Sequence, residues 1–163
     1  MPAAEGDTID VRHGTASFET EPPTLDDMCW PQYDILAKGL PWLVAVSDGH
    51  VVGYGYAGPY RPRAAHRDTV ENSIYIHPDR TRRGIGGRLL PALPNECETR
   101  DPRQLIAVVG DSANMASIRL HERHGFRMTG VLHSVGYKHG KWLDSVLLQK
   151  SLGRGGTTPP SRS

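Results

Sequence analysis

Cysteine and long apolar runs are scarce in this sequence of 163 residues. The two cysteines, Cys29 and Cys97, form no Cys-x-x-Cys pair, which argues against a disulfide scaffold and a cysteine-based metal site. The longest apolar runs, 42–46 and 105–109, have five residues each, whereas a membrane-spanning helix needs about 20. The N-terminus lacks the basic and apolar stretches of a secretory signal, so we expect a cytoplasmic protein without a membrane partner.

The sequence also lacks an excess of charge of either sign. Nineteen Lys and Arg residues balance eighteen Asp and Glu residues, for a net charge of +1, which does not favour nucleic-acid binding driven by bulk charge. The length suits one domain, and we assign it to residues 1–152. The Gly-, Pro- and Ser-rich composition of residues 153–163 predicts a disordered tail.

Hydrophobic periodicity predicts a mixed α/β domain. We expect helices over about 25–38 and 114–124, and another over about 84–99 that Pro91 and Pro94 make imperfect. Pro31 is expected to kink the first helix or delay its start. Strands are expected at 42–46, 51–56, 70–76, 104–109, 126–137 and 142–148.

A glycine-rich turn, Arg-Arg-Gly-Ile-Gly-Gly at 82–87, lies between a predicted strand and a predicted helix. Glycines allow backbone N–H groups to approach an anion, and the helix N-terminus and arginines add positive charge. The segment lacks the Lys-Ser/Thr of a Walker A loop and the spacing of a dinucleotide fingerprint. A pyrophosphate site and a glycine turn with solvated arginines both remain open on this evidence alone.

Together with this turn, five segments resemble the GNAT family of N-acetyltransferases, and within it the phosphinothricin / methionine sulfoximine N-acetyltransferase group. They are Gly-Leu-Pro-Trp-Leu-Val-Ala (39–45), Tyr-Ala-Gly-Pro-Tyr-Arg-Pro-Arg (56–63), Thr-Val-Glu-Asn-Ser-Ile-Tyr-Ile (69–76), Ala-Ser-Ile-Arg-Leu-His-Glu-Arg-His-Gly-Phe (116–126) and Gly-Tyr-Lys-His-Gly-Lys-Trp-Leu-Asp (136–144). The resemblance implies the GNAT acyltransferase fold, acetyl-CoA as co-substrate, a small-molecule amine as acceptor and a homodimer.

The resemblance also implies where acetyl-CoA binds. The central splayed strand would pair with the pantetheine amides, the glycine turn would hold the pyrophosphate, and an asparagine at a helix start would contact the coenzyme arm. These positions are Ile74, Tyr75, Ile76, Arg82, Arg83, Gly84, Ile85, Gly86, Gly87 and Asn114. The other interpretation of Asn114 is an N-cap of its helix.

Two side chains are expected to move protons. The resemblance makes Glu71 the general base, because an ammonium must lose a proton before it can attack a thioester. His121 would protonate the departing thiolate or act as a base together with Glu71. His121 and His124 lack a third ligand, and the transfer needs no metal, so we expect no metal site.

The acceptor site is expected to use Phe18 as a wall, Arg63 for a carboxylate and Lys138 at the mouth, since a guanidinium binds a carboxylate bidentately. The family begins with a further strand and helix that have no match in the first residues here, and His66 and Asp68 differ from the family's substrate loop. Two alternatives therefore stay open: an acetyltransferase for another amine or a peptide N-terminus, and a degenerate acetyl-CoA-binding module without turnover.

Overall fold

The computed structural model describes residues 25–96 and 101–161. Three α-helices occur in these ranges: α1 (Leu25–Ala37), α2 (Ile85–Ala92) and α3 (Met115–Arg123). Six strands complete them: β1 (Trp42–Ser47), β2 (His50–Pro59), β3 (Thr69–Ile76), β4 (Gln104–Gly110), β5 (Arg127–Lys138) and β6 (Lys141–Ser151). The first residues, in which the family's opening strand and helix have no match, lie outside the described residues, as does Phe18.

The strands form one mixed sheet in the order β1-β2-β3-β4-β6-β5. Strands β3 and β4 are parallel, and every other neighbouring pair is antiparallel. The crossover from β3 to β4 passes through α2, as a parallel connection requires. This arrangement confirms the mixed α/β class predicted from periodicity.

The parallel pairing in the middle of the sheet is short. It runs from Thr69 opposite Gln104 to Asn72 opposite Ala107 and then stops, although β3 continues to Ile76 and β4 to Gly110. The outer edges of both strands stay paired, β3 with β2 and β4 with β6. The two strands therefore separate at their carboxyl ends and leave an opening in the centre of the sheet.

Helices α2 and α3 approach each other closely beside this opening. A Cβ added to Gly86 would lie 2.9 Å from the Cδ2 atom of Leu120, so a larger residue there would force the Leu120 side chain to shift. The core beneath is apolar, with Leu93 and Leu148 fully buried. Helix α2 buries its own Leu89 and Leu90 against this core, and that burial, rather than intrinsic helix propensity, stabilises a helix of only eight residues.

The helix predicted over 84–99 is shorter than expected. The α-helical part ends at Ala92, and a 3₁₀ segment, Leu93–Glu96, follows it. Pro91 lies inside the α-helix, where it lacks an N–H for the helical hydrogen bond. The tighter 3₁₀ turn that contains Pro94 ends the described helix, and residues 97–99 lie outside the described ranges. Pro31 lies within α1, whose backbone is helical from Leu25 onward.

The predicted disorder of the C-terminal tail is not found for residues 153–161. Arg103, which is 7% exposed, donates from Nε to the carbonyl of Gly155 at 3.0 Å and from Nη2 to the carbonyl of Thr158 at 3.0 Å. Its Nη2 also donates to the hydroxyl of Thr158 at 2.6 Å. Composition missed this order because one buried guanidinium from a distant segment supplies the hydrogen bonds that the tail itself cannot make.

Candidate active site

A cleft of about 590 Å³ lies at the opening between the central strands. Its walls come from the end of β3, the glycine turn, the start of α2 and one face of α3. The residues that line it are Ile74, Tyr75, Ile76, Arg80, Thr81, Arg82, Gly84, Ile85, Gly86, Gly87, Asn114, Ala116, Ser117, Leu120 and Arg123. Nine of the ten positions expected to hold the coenzyme thus border one cleft.

Arg83 is the exception among those ten. It is exposed and borders a second cavity between β1 and α2 rather than the central cleft. Its neighbour Arg82, at the cleft, has a φ of +60°, a left-handed conformation uncommon for a residue with a side chain. The turn therefore directs two consecutive arginines to different surfaces, which the sequence pattern did not reveal.

The start of α2 has the geometry of an anion site. Gly84 is its N-cap residue and has a φ of +74°, and no acidic residue occupies the first turn. The first N–H groups of a helix lack intrahelical partners and carry partial positive charge. Three arginines, Arg80, Arg82 and Arg123, are among the residues that border the same cleft. Sequence reasoning missed both Arg80, which stands two residues before the turn, and Arg123, which only the fold brings beside it.

Glu71 lies at the inner end of the opening, on the other face of the sheet. It pairs with Ile106 one residue before the last parallel pair. Because side chains alternate along a strand, Glu71 and Tyr75 share one face of β3, whereas Asn72 and Ile74 occupy the face that α2 and α3 cover. On Glu71's side the rings of Tyr54 and Tyr75 stack 4.9 Å apart.

Partial burial raises the pKa of the Glu71 carboxyl above its usual value, and the charge of Arg61 opposes this shift. Arg61 lies in the loop between β2 and β3, with its guanidinium 5.0 Å above the ring of Tyr60. Glu71 is therefore a carboxylate with increased basicity beside a cation. Arg61 was not among the predicted site residues, although it stands in the quoted Tyr-Arg-Pro-Arg segment.

His121 does not meet Glu71. It is 4% exposed, and its ring lies on the opposite face of β3, where its Nε2 is 3.0 Å from Nδ2 of Asn72 and its Nδ1 is 2.8 Å from the carbonyl oxygen of Ser117. Burial lowers the pKa of His121, the hydrogen bond with Ser117 opposes this, and His124 lowers the pKa further. A joint role of His121 and Glu71 as a contacting pair is thus not favoured by the fold.

The remaining predicted residues take different positions. Asn114 lies at the cleft and is also an N-cap, since its side chain accepts a hydrogen bond from the backbone N–H of Ser117 at 3.3 Å. Arg63 is exposed and precedes a 3₁₀ turn (Ala64–His66) in the loop before β3. Lys138 is buried at the end of β5, with 6% exposure. Neither Arg63 nor Lys138 lines the cleft of α2 and α3.

In the ranges 25–96 and 101–161, no group of three or more His, Cys, Asp or Glu side chains is arranged to hold a metal ion. Among the helices that the structure describes, none combines the length and the apolar character needed to cross a membrane.

The sequence is similar to those of known N-acetyltransferases. The model of the acetyltransferase (GNAT) family matches residues 9–126. A phosphinothricin N-acetyltransferase of Alcaligenes faecalis is 52% identical over 150 residues, which cover 92% of this chain and 76% of the relative. An L-methionine sulfoximine/L-methionine sulfone acetyltransferase of Pseudomonas aeruginosa is 38% identical over 146 residues, covering 87% of this chain and 83% of the relative.

A solved structure agrees with the fold. The crystal structure of a GNAT superfamily phosphinothricin acetyltransferase from Sinorhizobium meliloti, in complex with acetyl-CoA, superposes with a TM-score of 0.93. It shares 39% sequence identity, and the match covers 98% of this chain and 86% of that one. The similarity confirms the acyltransferase fold expected from the sequence motifs.

Proposed function

Because the chain belongs to the acetyltransferase (GNAT) family and is an N-acetyltransferase that uses acetyl-CoA, we propose that it acetylates the α-amino group of a small amino acid analogue. Phosphinothricin and methionine sulfoximine are the acceptor types that the names of its relatives suggest. The single observation that carries the proposal is the opening between β3 and β4, where the coenzyme cleft on one face meets Glu71 on the other.

The residues around the cleft fit acetyl-CoA. Beyond Asn72 and Ala107 the facing edges of β3 and β4 no longer pair with each other, and a pantetheine arm can bind such an edge through its amides as an added strand does. The N-terminus of α2, with Arg82 and Arg123 nearby, suits the pyrophosphate. Acetyl-CoA supplies the acetyl group in activated form, as a thioester.

Glu71 is proposed as the general base. Its backbone lies one residue before the last parallel pair, and its side chain is on the face opposite α2 and α3. It would accept a proton from the acceptor's ammonium group and leave a neutral amine. Arrival of the two substrates from opposite faces supports direct transfer in a ternary complex.

The acceptor's carboxylate requires a cation on the face of Glu71. Arg61 is near enough to Glu71 for its charge to lower the pKa of that carboxyl, and the exposed Arg63 lies two residues later in the same loop. We propose that this loop binds the carboxylate, with Arg61 nearer the reacting amine. Lys138 is placed less directly for contact with the acceptor's carboxylate, because its side chain is buried at the end of β5.

The proposal is tested by measuring thiol release from acetyl-CoA. L-Phosphinothricin, L-methionine sulfoximine, a panel of ordinary amino acids and a short peptide with a free N-terminus are compared with a control without acceptor. Release that depends on the first two supports the proposed acceptor class. Release with the peptide alone would contradict it, and would favour acetylation of a peptide N-terminus, which the departures at His66 and Asp68 motivate.

The homodimer expected from the resemblance stays a prediction. Size-exclusion chromatography with light scattering measures it directly. A mass of twice 17.9 kDa would support the dimer, and a monomer at all concentrations would contradict it.

A further inference from the structure

One buried polar atom beside the cleft has no hydrogen-bond donor from the protein. Asn72 is 6% exposed and, in the described part of the chain, its Oδ1 is the buried side-chain atom left without a partner. The other end of the same amide is engaged, since Nδ2 lies 3.0 Å from Nε2 of His121. Buried polar groups are nearly always paired, so an acceptor left over at a functional cleft points to a ligand.

The hydrogen-bond chain fixes which nitrogen of His121 carries the proton. A carbonyl oxygen can only accept, so Nδ1 of His121 donates to the carbonyl of Ser117 at 2.8 Å. Burial disfavours a second proton on the ring. Nε2 is then an acceptor, and Nδ2 of Asn72 donates to it. In this arrangement His121 has no proton to give to a group in the cleft.

Asn72, which carries the unpaired Oδ1, borders a small cavity of about 90 Å³ at the inner end of the opening. Asn72 and Ala107, the last parallel pair, border it, and His121 and Ser117 close it from α3. The edges of β3 and β4 that separate beyond this pair supply further backbone donors and acceptors. A buried water needs two to four polar partners and a volume of at least about 10–15 Å³, and this cavity offers both.

We propose that Asn72 is a positioning residue of the active site, whose Nδ2 holds His121 as the neutral Nδ1–H tautomer and whose Oδ1 binds a water at the inner end of the coenzyme cleft. The identity of the coenzyme in this inference rests on the proposed function. The hydrogen bonds of Asn72 and His121 do not depend on it. It assigns His121 the role of an anchor for Asn72, in place of the proton donor expected from the resemblance.

The tautomer is tested on the free protein by nitrogen NMR of the histidine rings at neutral pH, with the His121 signals assigned by their loss in His121→Gln. We expect one protonated nitrogen, Nδ1, and an unprotonated Nε2. In Asn72→Asp the new carboxylate can only accept, so we expect a second proton on the ring. An Nε2–H tautomer or a doubly protonated ring in the parent protein would overturn the assignment.

The water is tested separately by a high-resolution crystal structure with CoA and by calorimetry of CoA binding, neither of which depends on the acceptor. We expect a water within hydrogen-bond distance of Asn72 Oδ1, and a Kd about tenfold weaker in Asn72→Leu. Asn95→Leu is the matched control, because Asn95 is exposed and lines neither the cleft nor the small cavity. A dry cavity, or equal affinities of Asn72→Leu and the parent, would refute the water site even if every acceptor assay failed.

Discussion

Replacement of Glu71 by glutamine is the most informative perturbation of the active site. The substitution keeps the shape of the side chain on β3 but removes the carboxylate that is proposed to accept the ammonium proton. General-base catalysis contributes about 10²- to 10⁴-fold in rate, which corresponds to about 3 to 5 kcal/mol of transition-state stabilisation. We therefore expect kcat with L-phosphinothricin to fall by that factor, while the affinity for CoA stays unchanged because Glu71 does not line the coenzyme cleft.

The same variant should be more stable than the parent at neutral pH. Burial raises the pKa of Glu71 despite Arg61, so the folded state binds its proton more tightly than the unfolded chain does. The free energy of unfolding then falls as pH rises from the ordinary glutamate range through the raised pKa. Glutamine carries no such charge, and its advantage should vanish in acid, where the parent's carboxyl is protonated in both states.

The pH profile follows from the same carboxyl. The base must be ionised to work, so kcat/KM of the parent should fall as pH drops through the raised pKa of Glu71. Thiol release and thermal unfolding are measured for the parent, Glu71→Gln and Glu96→Gln, an exposed glutamate outside the coenzyme cleft. A Glu71→Gln protein with parental kcat would refute the base, and one less stable than the parent at neutral pH would refute the burial argument.

Three further predictions test the cleft and its supports. Gly86→Ala places a Cβ 2.9 Å from Leu120 and should cost about 1–3 kcal/mol in urea unfolding; Gly87→Ala, with 3.6 Å to His124, is the control and should not destabilise. Arg123→Gln should raise the KM for acetyl-CoA about tenfold. Arg127→Gln, at an exposed position of β5, is the control and should leave this KM unchanged. Equal KM values in the two variants would contradict the assigned anion site. Arg103→Met should release residues 155–159, seen as faster amide hydrogen exchange there, and unchanged protection would show that other contacts hold the tail.

Local sequence patterns determined most of the secondary structure and one essential feature of the site. A strand predicted at 70–76 places Glu71 and Asn72 on opposite faces, because the side-chain period of a strand is two. The glycine turn predicted a connection from a strand to a helix, and α2 begins directly after Gly84. Such features depend on neighbours in the chain, so a local pattern can encode them.

Other features depend on contacts between distant segments, and only the tertiary structure decided them. Asn72 and His121 are 49 positions apart, and only the packing of α3 on β3 pairs them; the sole sequence signal was an asparagine among the apolar positions of one strand face. Arg103 orders a tail that its own composition would leave disordered. The opening itself arises because β3 and β4 pair with different outer neighbours and part after Asn72 and Ala107. Strand separation is a property of the whole sheet, and no local pattern of residues specifies it.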